Sequence, residues 1–330
     1  MKGTVATVGE TGLIRRLSHR LARPASVLVG IGDDTAVLRL PAGQRGAHTG
    51  GKVASHLLFA SDMLIEGVHF RRGDLAPRWI GWKALARNIS DVAAMGGLPN
   101  YAVVSLGLPR TTPVRFVDQL YDGLARCARR FGVAIVGGDT VRAPCVVVDV
   151  ATVGTLTATQ PILRSGAQVG DRLFVTGRLG GSLASHRHAT FLPRLREAQW
   201  LVHRLCVHAM IDLSDGLASD LWRLAEASRV TIQIRERAIP VSKAANACLH
   251  RACGGRAWRG RQAVWHALMD GEDFELAFLV PRRMAGRVPR SIGRTPVTEI
   301  GVVTTRGVGV ELMRRNGSLT SLIPEGFRHF

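Results

Sequence analysis

The chain has 330 residues, 46% of them hydrophobic and 21% charged, with a formal net charge of +19. That composition excludes a disordered chain, and the length favours two domains of roughly 150 residues each over one core. No apolar run approaches the ~20 residues a membrane span needs and the first residues carry no signal-peptide core, so a cytoplasmic protein without membrane contact is expected.

The five cysteines, at 127, 145, 206, 248 and 253, form no CxxC pair, which agrees with reduced thiols. The positive charge is carried by scattered pairs such as Arg71-Arg72 and Arg129-Arg130, not by a contiguous tract, and aromatics are only 5%. Stacking platforms are therefore scarce, and an anionic small substrate is favoured over nucleic acid. The Arg251, Arg256, Arg259 and Arg261 patch around Trp258 reads as a solvated loop.

In chain order, a short amphipathic helix is expected at about 10–21, followed by a strand at 27–29 and the acidic turn Gly32-Asp33-Asp34 before a return strand. Adjacent Asp residues in a Gly-bounded turn either bond their own backbone or present oxygens to a hard cation. Gly46 to Lys52 nearly spells a P-loop, but Val53 stands where Ser or Thr must meet the metal, so the motif is rejected. The apolar run from Leu57 ends in Ser61-Asp62, a costly place for a charge unless something binds it. After a turn with His69, the spacing of Trp82, Leu85, Ala86, Ile89, Val92 and Ala93 predicts a helix that starts near Pro77 and is closed by Gly96-Gly97. Lys83, Arg87 and Asp91 share its other face, where Asp91 is either a surface partner of Arg87 or a ligand.

A strand is expected at 101–108, a helix at 113–131 stopped by Gly132, and a buried strand at 133–136 delivering Gly137-Gly138-Asp139-Thr140. Another strand covers 145–157, and the domain boundary falls near Gln160, giving units 1–159 and 160–330. The second unit opens with Leu163-Arg164-Ser165-Gly166-Ala167 and a strand at 172–176. A helical, basic segment follows at 183–208, whose His186, His188, His203 and His208 read as solvated. A strand then ends in Asp212, and Ser214 or Asp215 is placed to cap the next helix. The turn Asp270-Gly271-Glu272-Asp273-Phe274-Glu275 precedes a further strand.

Asp33, Asp62, Asp139 and Asp212 thus repeat one arrangement, a carboxylate in a Gly/Ser/Thr turn beside a strand. With Asp91 and Asp215 they imply a site holding several divalent cations, since so many anions converge only when neutralised. Several Mg²⁺ ions suggest polyphosphate chemistry on a scaffold without a Walker or protein-kinase signature.

The motifs GIGDDTAV (30–37), SDMLIEGVHF (61–70), KALARNISDVAAMGGLP (83–99), GGDT (137–140), LRSGA (163–167), DLSDGLASDL (212–221) and GEDFEL (271–276) resemble, in order, those of thiamine-monophosphate kinase. The resemblance implies an α/β (α+β) protein of the two-domain aminoimidazole-ribonucleotide synthetase-like fold that pairs as a homodimer. It also implies direct, Mg²⁺-dependent transfer from ATP to thiamine monophosphate. By that resemblance Asp33, Ser61, Asp62, Asp91, Asp139, Asp212 and Asp215 hold Mg²⁺, with Asp62, Asp91 and Asp212 the catalytic set. Tyr121, Gly138, Asp139, Arg164 and Ser214 meet ATP, and His69, Glu272 and Phe327 meet thiamine monophosphate. Ala60 stands where the family usually has Ser or Thr, so one cation ligand is expected to be missing.

Overall fold

The computed structural model describes residues 4–19, 21, 24–39, 56–156, 160–247 and 263–325. The Gly46 to Lys52 stretch, the Arg251 to Arg261 patch, Cys248, Cys253 and Phe327 lie outside them.

Two sheets come from the two halves of the chain. The first contains β1 (Val27–Val29), β2 (Ala36–Arg39), β3 (His56–Ile65), β4 (Gly97–Leu108), β5 (Ala134–Arg142) and β6 (Val147–Leu156), in the order β1-β2-β3-β6-β4-β5. All pairs are antiparallel except β4 with β5. Helix α1 (Val5–Ser18) precedes it, and α2 (Pro77–Ala94) and α3 (Val114–Phe131) pack together beside it. Glycine permits their close approach: a Cβ at Gly81 would lie 1.9 Å from the Leu120 carbonyl oxygen, and one at Gly123 would lie 1.8 Å from that of Arg78.

The second sheet is built from β7 (Arg172–Thr176), β8 (Ala209–Asp212), β9 (Val230–Arg235), β10 (Leu276–Val280), β12 (Thr295–Arg306), β13 (Gly309–Met313) and β14 (Leu319–Ser321). Their order is β14-β13-β9-β12-β7-β10-β8, and a short β11 (Ser291–Ile292) pairs with β12. Every residue of β10 is buried, because both faces of this sheet are covered. Phe174 and Phe278 face the core shared with α2, while Val175, Ala277 and Leu279 face α6 (Leu217–Ser228) and its neighbours.

Helix α2 is the element that joins the halves. It contacts β3, β4 and β6 on one side and β8, α4 (Arg187–Thr190) and α5 (Leu195–Arg204) on the other. Burial on nearly every side explains why Lys83, Asn88 and Ser90 are enclosed as completely as Ile89.

Four local expectations change. Asp62 lies within β3, not at its end, and β5 is an exposed edge strand running through Gly137-Gly138-Asp139-Thr140 instead of a buried one that stops before it. A Cβ at Gly138 would meet the Val104 carbonyl oxygen at 1.8 Å, so strand packing alone requires that glycine. The basic segment at 183–208 contains two short helices. His188 in it is buried with Nδ1 3.2 Å from the Ser182 carbonyl oxygen, and His208 Nδ1 lies 2.8 Å from Asp171. Neither Ser214 nor Asp215 caps α6; Gly216 occupies that position, and Asp220 accepts the Asp215 backbone N–H instead.

Candidate active site

The site begins where three elements deliver carboxylates to one point. The buried strand β8 ends in Asp212, α2 contributes Asp91, and the β1–β2 turn contributes Asp34. One oxygen from each lies within 4.8 Å of the others. Ser90 donates to Asp212 Oδ2 at 2.6 Å, and Arg164 Nη2 donates to Asp34 Oδ1 at 2.7 Å. Asp34 Oδ2 is buried without a hydrogen-bond partner among the described residues. Burial, then the neighbouring Asp34 charge, pushes the Asp212 carboxyl up to about 7. Burial and the charges of Asp62, Asp212 and Asp34 push Asp91 well above its usual range. Burial is the larger cause in both, and the neighbouring carboxylates add to it.

These residues line a cavity of about 510 Å³ that also receives Ser61, Asp62, Arg164, Ser214 and Asp215. It opens beside β3 because β2 pairs only with His56 to Phe59, leaving the remainder of that edge accessible. Successive strand residues point to opposite faces. Asp62 accordingly turns toward α2, where Arg87 Nη2 donates to it at 3.2 Å, and Ser61 turns to the other face and donates to Asp149 at 3.1 Å. Asp215 pairs with Arg223 at the cavity wall.

The adjacent aspartates of the first turn divide their work. Asp33 accepts the backbone N–H groups of Asp34 (3.0 Å) and Arg164 (3.2 Å), bracing one loop against the other. Burial and the Asp34 charge raise its carboxyl to about 6. Asp34, not Asp33, faces Asp91 and Asp212. In the sequence Asp34 and Asp33 look alike, as two neighbouring Asp residues in one turn. Only the backbone bonds made by Asp33 separate them.

A smaller cavity of about 110 Å³ adjoins the first, bounded by Val68, His69, Leu183, Gly271 and Glu272 and sharing Arg87, Ser214, Asp215 and Phe274 with it. His69 and Glu272 are tied together by Lys83, another residue the sequence did not single out. Its fully buried Nζ donates to Glu272 Oε2 at 2.7 Å and to the His69 carbonyl oxygen at 3.0 Å. Burial draws the Lys83 pKa down while Glu272 opposes it. Glu272 and Phe274 both hold left-handed backbone (φ 63° and 49°), and the Phe274 ring stacks on Phe191 at 3.9 Å.

Three expected ATP contacts stand elsewhere. Tyr121 is exposed on α3, and Gly138 and Asp139 are exposed on β5. Asp139 shares a row with Ser105, Asp149 and Met63, which puts it three strand spacings, about 14 Å, from β3.

A hard divalent cation fits the Asp34, Asp91 and Asp212 group on two grounds: all donors are carboxylate oxygens, and the enclosed Asp34 Oδ2 awaits a partner. The surrounding fold has known counterparts. Residues 32–156 match the family model described as AIR synthase related protein, N-terminal domain. The chain is 36% identical over 322 residues to thiamine-monophosphate kinase of Rhodopirellula baltica, covering 97% of each chain. It is 33% identical over 349 residues to the Bacillus subtilis enzyme of the same name, covering 97% of this chain and 99% of that one. Among solved structures, AaThiL complexed with AMPPCP and TMP matches with a TM-score of 0.82 at 30% identity, covering 100% of both chains. With similarity of this extent, the chain belongs to the thiamine-monophosphate kinase family.

Proposed function

We propose that this protein transfers the γ-phosphoryl group of ATP directly to thiamine monophosphate, giving thiamine diphosphate and ADP, in a Mg²⁺-dependent reaction. The observation that carries this reading is the pair of joined cavities, one lined by clustered carboxylates and the other by Glu272 and apolar walls, in a chain similar along its whole length to a kinase bound to AMPPCP and TMP. Asp34, Asp91, Asp212 and Asp62 would hold Mg²⁺, which when bound neutralises polyphosphate oxygens and fixes their geometry.

The acceptor is itself a phosphate, largely ionised near neutral pH, so the protein needs no strong general base. Its task is to align two anions that repel each other. Arg164 and Ser214 line the carboxylate cavity and suit the nucleotide. Glu272 suits the cationic thiazolium of thiamine, and Lys83 holds that carboxylate in place. Val68, Leu183 and Phe274 supply the apolar surface around it.

The same proposal includes a division into units 1–159 and 160–330, a cytoplasmic location and a homodimer. Support for the homodimer comes from the first sheet, whose face away from α2 exposes Phe59, Met63, Tyr101 and Val103. A second copy covering that face and the β5 edge would bring Gly138 and Asp139 of one copy toward the site of the other.

The test is to incubate purified protein with ATP, Mg²⁺ and thiamine monophosphate and to separate the products by chromatography. Thiamine diphosphate and ADP should form in equal amounts, and thiamine itself should not be phosphorylated. A folded protein that yields no thiamine diphosphate would overturn the proposal. Light scattering should return twice the chain mass, falling to one chain for Val103→Glu.

A further inference from the structure

We infer that Arg87 is a catalytic residue of this reaction: its guanidinium meets the phosphoryl group as it passes between the two cavities. The inference rests on the proposed transfer and names a role for a side chain that the motif reading left as a neighbour of Asp91.

Arg87 sits where the two cavities join. Lys83, Arg87 and Asp91 recur every four residues on α2, so they form one row, each about 6 Å further along the axis. Lys83 at one end binds Glu272 in the smaller cavity, and Asp91 at the other belongs to the carboxylate cluster. Arg87 stands between them and lines both cavities. A group moving from a nucleotide in the first cavity to an acceptor in the second passes this side chain.

Its guanidinium also has unmet bonding. Arg87 Nη2 donates to Asp62, but Nε and Nη1 are enclosed and have no hydrogen-bond partner among the described residues. An enclosed guanidinium with donors unused is costly unless another anion engages it. The other cations lining the cavities hold their donors more fully: Lys83 pairs with Glu272 and Arg223 with Asp215 and Asp220, while Arg164, paired with Asp34, has only its Nε unmet, against two unmet nitrogens on Arg87. A phosphoryl group, with oxygens spaced for the guanidinium fork, is the anion that fits both the geometry and the place.

In the step itself, the bond from the γ-phosphorus to the bridging oxygen of ADP breaks and that electron pair leaves with ADP. A bond forms from an oxygen of thiamine monophosphate to the same phosphorus. No proton has to move at the acceptor, and Arg87 keeps its own. Its charge faces the three non-bridging oxygens of the group in transit, where a cation of this kind supplies about 10³-fold or more.

The experiment compares Arg87→Met with the wild-type chain, using turnover and ligand-induced shifts in melting temperature. Turnover should fall about 10³-fold with the KM for ATP and for thiamine monophosphate changed less than about threefold. AMPPCP and thiamine monophosphate should each still stabilise the variant. The combination of ADP, aluminium fluoride and thiamine monophosphate, which imitates the planar group in transit, should stabilise wild type strongly and the variant no more than ADP does. Guanidinium ion should partly restore turnover to Arg87→Ala, an effect that a structural role would not produce. If Arg87→Met does not fold, Arg87→Lys is read in the same way, with turnover reduced and both KM values retained. The inference is overturned if turnover and the fluoride complex match wild type, or if AMPPCP and thiamine monophosphate binding are lost along with turnover. A wild-type chain that makes no thiamine diphosphate defeats the functional proposal itself, separately from this assignment.

Discussion

Two acidic regions meet at the candidate site, and the chain compensates their carboxylates to different degrees. In the loop from Asp270 to Glu275 each carboxylate has a donor from the chain. Asp270 accepts the Gly181 N–H, Glu272 accepts from Lys83, Asp273 accepts from Ser182, Gly180 and Arg187, and Glu275 accepts from Thr176 and Arg194. In the cleft, Ser90 donates to Asp212 and Arg164 to Asp34, but Asp34, Asp91 and Asp212 crowd together and Asp34 Oδ2 has no partner among the described residues. Burial, which also raises Asp273 in the loop to about 7, acts here with mutual repulsion to drive Asp91 and Asp212 toward protonation. Carboxylates compensated by the chain are building material. Those that crowd together with bonding left unmet define where a cation from solution belongs.

The comparison is most easily broken through stability. Glu275→Ala would leave Arg194 beside an enclosed gap and remove one of the two carboxylates facing Arg187, and thermal or urea unfolding should show a loss of about 3–5 kcal/mol. Asp212→Asn should behave in the reverse manner. Its turnover should drop by about 10²-fold or more, while the metal-free protein melts no lower than wild type because one repelling charge is gone.

A smaller effect is expected for Lys83→Met, which removes the buried cation holding Glu272. Steady-state kinetics should give a KM for thiamine monophosphate raised about tenfold with that for ATP unchanged. The smallest is a slope with pH. The Asp212 carboxyl lies at about 7 when folded against 3.8 ordinarily, so between those values the folded chain holds a proton that the unfolded chain has released. Metal-free stability should therefore decline as pH rises from about 4 to about 7, and Asp212→Asn should make the decline shallower without removing it, because Asp33, Asp91, Asp220 and Asp273 are raised in the same direction. Melting curves with Mg²⁺ should show its largest stabilisation above that range, where the cluster is ionised.

Much of this organisation is legible from the residues. Apolar spacing and Gly132 give α3 from Val114 to Phe131, with Gly132 in left-handed backbone as the stop, and the run before Asp212 forms β8 as read. What the sequence hides is decided by distant pairing. The short β2 leaves part of β3 open and puts Asp62 mid-strand on the cavity, a consequence of register that no local pattern carries. The apolar run at 133–136 reads as interior, but among the described residues β5 has a neighbouring strand on one side only. His188 and His208 find Ser182 and Asp171 through tertiary contacts, so a charge-based reading leaves them in solvent. Lys83 and Arg87 look like an ordinary polar helix face until the second half of the chain closes over them.

The central claim is that crowded carboxylates with bonding left unmet, not acidic residues in general, gather the cations. The direct measurement is titration of metal-free protein with Mn²⁺, following the free ion by electron paramagnetic resonance, for wild type, Asp91→Asn and Asp270→Asn. The account predicts tight Mn²⁺ uptake by wild type and Asp270→Asn and its loss in Asp91→Asn. Equal uptake by all three chains, or none by wild type, would contradict it.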